Sequence, residues 1–169
     1  MLIEITKGHR DDAIRIVRAD GSMAATRFPK KGPVPHDAVH WFVERGLGLK
    51  NAFWGMIAAG AHPEELAALA KDAGHASASR AGDPDASIVE LLQAERLVEC
   101  FEAELWSMAD GAGDDAGLIA MAETACAASR VSLPALSPAT IAAVREPLGT
   151  FSAQWCAAAP GYVAVLGWD

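Results

Sequence analysis

The chain of 169 residues is long enough for one ordinary domain, and its 51% hydrophobic residues can fill a core. Its formal net charge of −8 repels phosphate backbones and anionic lipids, which argues against nucleic-acid binding and against docking on a membrane. Neither an apolar stretch of roughly 20 residues nor the pattern of a signal peptide is present, so we expect a soluble, cytoplasmic protein.

Two parts of the chain show the alternating pattern of β-strands. Residues 2–6 and 13–17 alternate apolar and polar side chains, Asp20-Gly21 is a turn signal, and residues 22–28 can return as a third strand. Residues 162–166 resemble a further strand. The sequence predicts an antiparallel β-meander over residues 1–30 and a C-terminal strand over 162–168 that can join the same sheet.

The middle of the chain, residues 36–158, has the composition and periodicity of helices. The predicted helices cover residues 36–46, 52–59, 63–73, 87–108, 115–130 and 138–156. Asn51 and Ser87 are expected to cap the second and fourth helices, and Pro147 should kink or restart the last one. Residues 74–87 are expected to form a long loop. The fold class that follows is α+β: one domain over residues 1–169, with a small antiparallel sheet packed on five to six helices.

The three cysteines give no sign of a metal or redox motif. Cys100, Cys126 and Cys156 are widely spaced, and no Cys-x-x-Cys pair occurs. Each lies in an apolar helical context, so we expect buried, reduced thiols, which are typical of a cytosolic protein.

The segment His36-Asp37-Ala38-Val39-His40 is the strongest chemical signal in the sequence. Because each helical residue advances about 100°, His36, Asp37, His40 and Glu44 share one face of the predicted helix. Two imidazoles four residues apart can bind one metal ion, and a carboxylate such as Glu44 can complete the shell. The cofactor implied is a divalent metal such as zinc.

The same spacing resembles the H-E-x-x-H motif of zinc metallopeptidases, with Asp37 at the position of the glutamate. The resemblance implies that His36 and His40 bind zinc and that Asp37 is the catalytic base. The His36-Asp37 doublet is also similar to that of the HD phosphohydrolases, which add an upstream histidine and a downstream aspartate. His9 is the upstream histidine here, and the sequence does not identify the aspartate.

Over most of its length the chain resembles a family of short bacterial proteins that carry a Pro-His-Asp-x-x-His motif and have no assigned activity. The resemblance depends on residues 34–40, on residues 53–60, and on Trp155 and Pro160-Gly161 followed by a strand. It implies a bacterial source and the architecture described above.

Two functional hypotheses remain open. In the first, which the sequence slightly favours, the chain is a non-catalytic binding or interaction domain, which can be a homo-oligomer, and the histidine face is solvated or only locally hydrogen-bonded. In the second, it is a metal-dependent hydrolase or metal-binding protein, and a further ligand arrives from Glu44, His62 or a glutamate of the long helix. The row Glu95, Glu99 and Glu102 on that helix is more typical of a solvated face.

Overall fold

A computed structural model describes residues 1–77, 82–107 and 113–169 of the chain. The elements of this part are, in chain order, β1 (Leu2–Thr6), β2 (Asp11–Val17), β3 (Met23–Pro29), α1 (His36–Leu47), α2 (Phe53–Ala58), α3 (Pro63–Ser77), α4 (Val89–Ser107), α5 (Asp115–Ala128), α6 (Pro138–Ala157) and β4 (Val163–Gly167). A short 3₁₀ turn, Ala86–Ile88, precedes α4. The predicted α+β class is confirmed.

The four strands form one antiparallel sheet in the order β3-β2-β1-β4. Alternation places Ile3, Ile5, Ile14 and Ile16 on the inner face, where all four are buried. The C-terminal strand pairs with β1, so that Leu166 lies opposite Ile3. The prediction that the last strand joins the N-terminal sheet is therefore confirmed.

Helix α1 lies at the centre of the helical layer and packs against both α4 and α6. Its apolar side chains Ala38, Val39 and Val43 are fully buried in the core that the helices share with the inner face of the sheet. Gly48 ends α1 in the left-handed conformation, with φ of 69°, which glycine adopts without strain. The buried polar side chains of α1 face α4, against which this helix packs.

Two predicted caps are wrong. The residue before α2 is Ala52, and Asn51 instead binds the Glu90 carboxylate through its backbone N–H and its side-chain amide. Asp85, not Ser87, accepts the N–H bond that caps the 3₁₀ turn ahead of α4. At α2 the carboxylate of Glu44 accepts the first-turn N–H of Trp54, so in both cases a carboxylate, a stronger acceptor, takes the place of the predicted cap.

Several boundaries also differ from the predictions. Helix α3 continues to Ser77, past the predicted loop start at Gly74, because one glycine in an alanine-rich helix costs only about 1 kcal/mol. Helix α6 runs through Pro147 without restarting. Residues 78–81 of the predicted loop, and residues 108–112 after α4, lie outside the described residues. No helix in the described part of the chain is both long and apolar enough to span a bilayer.

Candidate metal centre

The histidine motif occupies the first turns of α1. Pro35 precedes the helix in an extended conformation, which suits a proline at a helix start, and the helix begins at His36. His36, His40 and Glu44 are four residues apart, so they stack along one face, and this face is turned toward α4. The histidines of α1 therefore face the glutamates of α4 and do not project from the protein surface.

His40 is held between two carboxylates. Its Nδ1 atom lies 3.0 Å from Oε1 of Glu44, and its Nε2 atom lies 3.1 Å from Oε2 of Glu95 on α4. His40 is only 3% exposed and Glu44 is fully buried. The second oxygen of Glu44 accepts the backbone N–H of Trp54 at 2.9 Å. The hypothesis of a solvated histidine face is wrong at this position.

His36 repeats the arrangement one helical turn earlier. Its Nδ1 atom lies 3.0 Å from Oε1 of Glu102, and its Nε2 atom lies 3.5 Å from Oε1 of Glu95. The two imidazole rings meet edge to face, with their centroids 4.9 Å apart. Glu95 thus stands between the Nε2 atoms of both histidines and faces one with each oxygen.

The result is a compact set of three potential metal ligands. One donor atom each from His36, His40 and Glu95 lie within 4.8 Å of one another. The Nδ1 atom of each ring is hydrogen-bonded to a different carboxylate, Glu102 for His36 and Glu44 for His40. These bonds fix the orientation of the two rings. Histidines that bind metals are usually held in this way through their other nitrogen.

The electrostatics of the cluster favour a positive charge at the imidazoles. Burial opposes the imidazolium of His40, but the bonds to Glu44 and Glu95 outweigh it and raise the pKa of His40 to about 10. Burial also opposes ionisation of Glu95, but the two histidines hold the pKa of that carboxyl well below its usual range. A metal ion bound at these nitrogens would therefore displace their protons, so metal binding at this cluster would weaken as the pH falls.

A cavity of about 630 Å³ opens onto this cluster. Its wall includes His36, His40, Glu95 and Asp37, together with apolar side chains from β3, α2 and α3. Desolvation raises the pKa of Asp37 above its usual value, against the charges of the two histidines. The three potential ligands are therefore reachable from a space large enough for a small molecule.

The four residues that the sequence placed on one face of α1 have different positions relative to the cluster. His36 and His40 come together with their Nε2 atoms on one carboxylate, and Asp37 lies in the cavity wall. Glu44, expected as a ligand, lies behind His40 on the other ring nitrogen, where it can orient the ring but does not join the three-residue group. His62 is exposed and lies outside the group.

The sequence identified neither Glu95 nor Glu102 as a specific partner. Their spacing with Glu99 was the available signal, but the same pattern is typical of a solvated helix face. Glu102 is in fact only 6% exposed, so this part of the expected solvated face is wrong. His9, the upstream histidine of the HD comparison, is exposed and does not line the cavity.

Comparison with protein-family models, with curated protein sequences and with solved structures gives no match. The resemblance to short bacterial proteins with a Pro-His-Asp-x-x-His motif stays a prediction.

Proposed function

We propose that the protein binds a divalent transition metal, zinc being the first candidate, through His36, His40 and Glu95, and uses it for hydrolysis in the adjacent cavity. The observation that carries the proposal is that the Nδ1 atom of each histidine is hydrogen-bonded to a separate carboxylate, that of Glu102 or that of Glu44. This pairing aims both Nε2 atoms at Glu95. A third carboxylate at that point completes the two-histidine, one-carboxylate set found in many catalytic metal sites.

The spacing of the donor atoms is compatible with coordination. Metal–nitrogen bonds of zinc are about 2.1 Å long, so neighbouring donors in a tetrahedral site lie roughly 3.4 Å apart. The Nε2 atom of His40 lies 3.1 Å from Oε2 of Glu95, and that of His36 lies 3.5 Å from Oε1, so the two distances involve different oxygens of one carboxylate. One donor atom from each of the three residues lies within 4.8 Å of the others, so the side chains would move together by about 1 Å to share one ion.

The hydrolytic part of the proposal depends on the cavity. Three protein ligands leave coordination positions free, and a divalent ion in such a site lowers the pKa of bound water and polarises a substrate carbonyl or phosphoryl oxygen. Asp37 lines the same cavity. We assign Asp37, whose carboxyl group is desolvated, as the general base that accepts the proton from the attacking water.

The test of metal binding is elemental analysis of protein purified without a histidine tag or chelator. Wild type is compared with the double variant His36→Ala/His40→Ala, with Glu95→Gln, and with His62→Ala as a control at an exposed histidine. We expect near-stoichiometric zinc, iron or manganese in wild type and in the control, and little in the other two. Wild type that neither retains metal nor gains thermal stability when metals are added would overturn the proposal.

A second experiment tests hydrolysis separately. Metal-loaded wild type and Asp37→Asn are assayed on nitrophenyl esters and phosphates. Loss of a general base costs about 100-fold or more in rate, so we expect the variant to keep its metal and lose most activity. Equal activity of the two proteins would remove Asp37 from the mechanism. Bound metal without hydrolysis in wild type would leave a metal-binding role alone.

A further inference from the structure

The cavity beside the metal cluster contains a high proportion of basic side chains for an acidic protein. Among the described residues, four of the chain's 14 lysines and arginines line it: Lys30, Lys31, Lys71 and Arg96. Four described acidic side chains also line it, so the carboxylates balance the lysines and arginines without counting the two histidines, whereas the whole chain has a net charge of −8. A divalent metal bound by neutral imidazoles would give the lining a net positive charge.

Two of these basic groups are already engaged. Lys30 Nζ lies 2.9 Å from Asp12, and a terminal nitrogen of Arg96 lies 2.9 Å from Glu99. Lys31, by contrast, is exposed and makes no ion pair with another residue in the described ranges. Its positive charge can therefore meet a ligand.

Lys71 on α3 resembles Lys31 in its exposure and in its lack of an ion pair with a described residue. It lines the cavity, is exposed, and has no ion-pair partner among residues 1–77, 82–107 and 113–169. Arg96 can also donate a further hydrogen bond, because its buried Nε–H has no hydrogen-bond partner in the described part of the chain. A buried donor without a partner is costly, and an oxyanion close to the guanidinium would satisfy it after a small turn of the side chain.

The rest of the wall is apolar. Phe28 of β3 and Phe53 of α2 line the cavity, together with alanines of α3 that leave room for a ligand. A volume of about 630 Å³ is that of a small-molecule site and is too small for a folded partner. The cavity therefore combines a basic side, an apolar side and the metal cluster.

We propose that the ligand of this cavity is a small organic anion, with a carboxylate or phosphate group held by Lys31, Lys71 and Arg96. Its apolar body lies against Phe28 and Phe53. This inference deepens the proposed function and rests on it, because the same cavity opens onto the metal cluster. The basic and apolar walls, however, belong to the chain itself and can be tested with or without metal.

The test uses three probes of similar size and different charge: benzoate, phenyl phosphate and neutral benzyl alcohol. Their affinities for metal-loaded wild type are measured by titration calorimetry, and metal content is determined in the same samples. Because three positive side chains act on the same anion, we expect both anions, or one of them, to bind at least about tenfold more tightly than the alcohol. The stronger of the two anions identifies the group as carboxylate or phosphate.

Substitutions locate the binding. Lys31→Met and Lys71→Met remove charge from exposed side chains, so both variants should fold, and Lys50→Met is the control at an exposed lysine outside the cavity. We expect each cavity variant to weaken anion binding about threefold or more and leave alcohol binding unchanged. An equal loss in Lys50→Met would show long-range attraction alone and overturn the inference.

The outcomes separate the two proposals. Bound metal without any preference for the anions overturns the inference and leaves the proposed function standing. Absence of metal overturns the proposed function, and the same titrations on metal-free protein then decide the inference. In metal-free protein, a preference for anions that depends on Lys31 and Lys71 supports the inference. If metal-free protein shows no such preference, both the inference and the proposed function are overturned.

Discussion

The Nδ1 atom of His40 lies 3.0 Å from Oε1 of Glu44, one turn further along the same helix, and both side chains are buried. Because the pair is formed within α1, the helix alone fixes the orientation of the ring and turns its Nε2 atom toward Glu95. The other oxygen of Glu44 accepts the backbone N–H of Trp54. Glu44 thus joins the first turn of α2 to the candidate metal centre.

The first prediction concerns this positioning role of Glu44. Glu44→Gln keeps the size of the side chain and an acceptor for Trp54, but it removes the negative charge beside the ring. Loss of such a partner typically lowers metal affinity by about 10- to 100-fold. Competition with a chromogenic chelator measures the change, and Glu123→Gln, at an exposed position on α5, is the control. Unchanged affinity in Glu44→Gln would contradict the role.

The part of the site that lies on α1 could be predicted from sequence because it is local. Helical geometry alone places residues four apart on one face, which is why His36, His40 and Glu44 were grouped correctly as a face. Which nitrogen each carboxylate binds is not local. Glu95 and Glu102 reach the histidines only because α4 packs on α1, and no local pattern in the sequence indicates that packing.

The fold shows the same division. Alternation and the Asp20-Gly21 turn were sufficient for the β-meander, since hairpin pairing follows the chain. The cap assigned to Asn51 failed because Glu90, 39 residues away, binds both its backbone N–H and its side chain. Long-range contacts of this kind override local preferences, and they also decide where the functional groups meet.

Trp54 contacts residues of the candidate metal centre from α2, and its loss should destabilise the whole fold. It is fully buried, and its indole N–H donates to the backbone carbonyl of Asp37 at 2.9 Å. Trp54→Phe removes this bond, which is additional to the helical hydrogen bond of the same carbonyl, and creates a small cavity, which together should cost about 2 kcal/mol. Urea denaturation measures the loss. Trp106→Phe, at a side chain that is 48% exposed, should change stability by less than about 0.5 kcal/mol.

Gly55 allows α2 to lie close to the preceding loop. A Cβ atom at this position would fall 1.8 Å from the carbonyl oxygen of Lys50, which is backbone and cannot turn away. Gly55→Ala should therefore destabilise the protein by about 2 kcal/mol or more. Gly149 in α6 has open space at the same position, so Gly149→Ala should stabilise by about 0.5–1 kcal/mol. Thermal unfolding of both variants checks the opposite signs.

The three thiols should differ in reactivity, because only part of the expectation of buried cysteines holds. Cys100 and Cys126 are buried, but Cys156 is exposed near the end of α6. Burial raises the pKa of Cys100 to about 11 and also raises that of Cys126, so neither thiol forms much of the reactive thiolate near pH 8.

Alkylation with iodoacetamide, followed by intact mass spectrometry, tests this difference. Native protein at about pH 8 should take up one label, Cys156→Ser should take up none, and unfolded wild type should take up three. Because the Cys100 thiol stays neutral until the pH approaches about 11, raising the pH by about one unit should not add a second label. A second label on native protein would mean that the packing between α4 and α5 opens and exposes Cys100 on α4 or Cys126 on α5. Such opening would also weaken the contact that brings Glu95 to the two histidines.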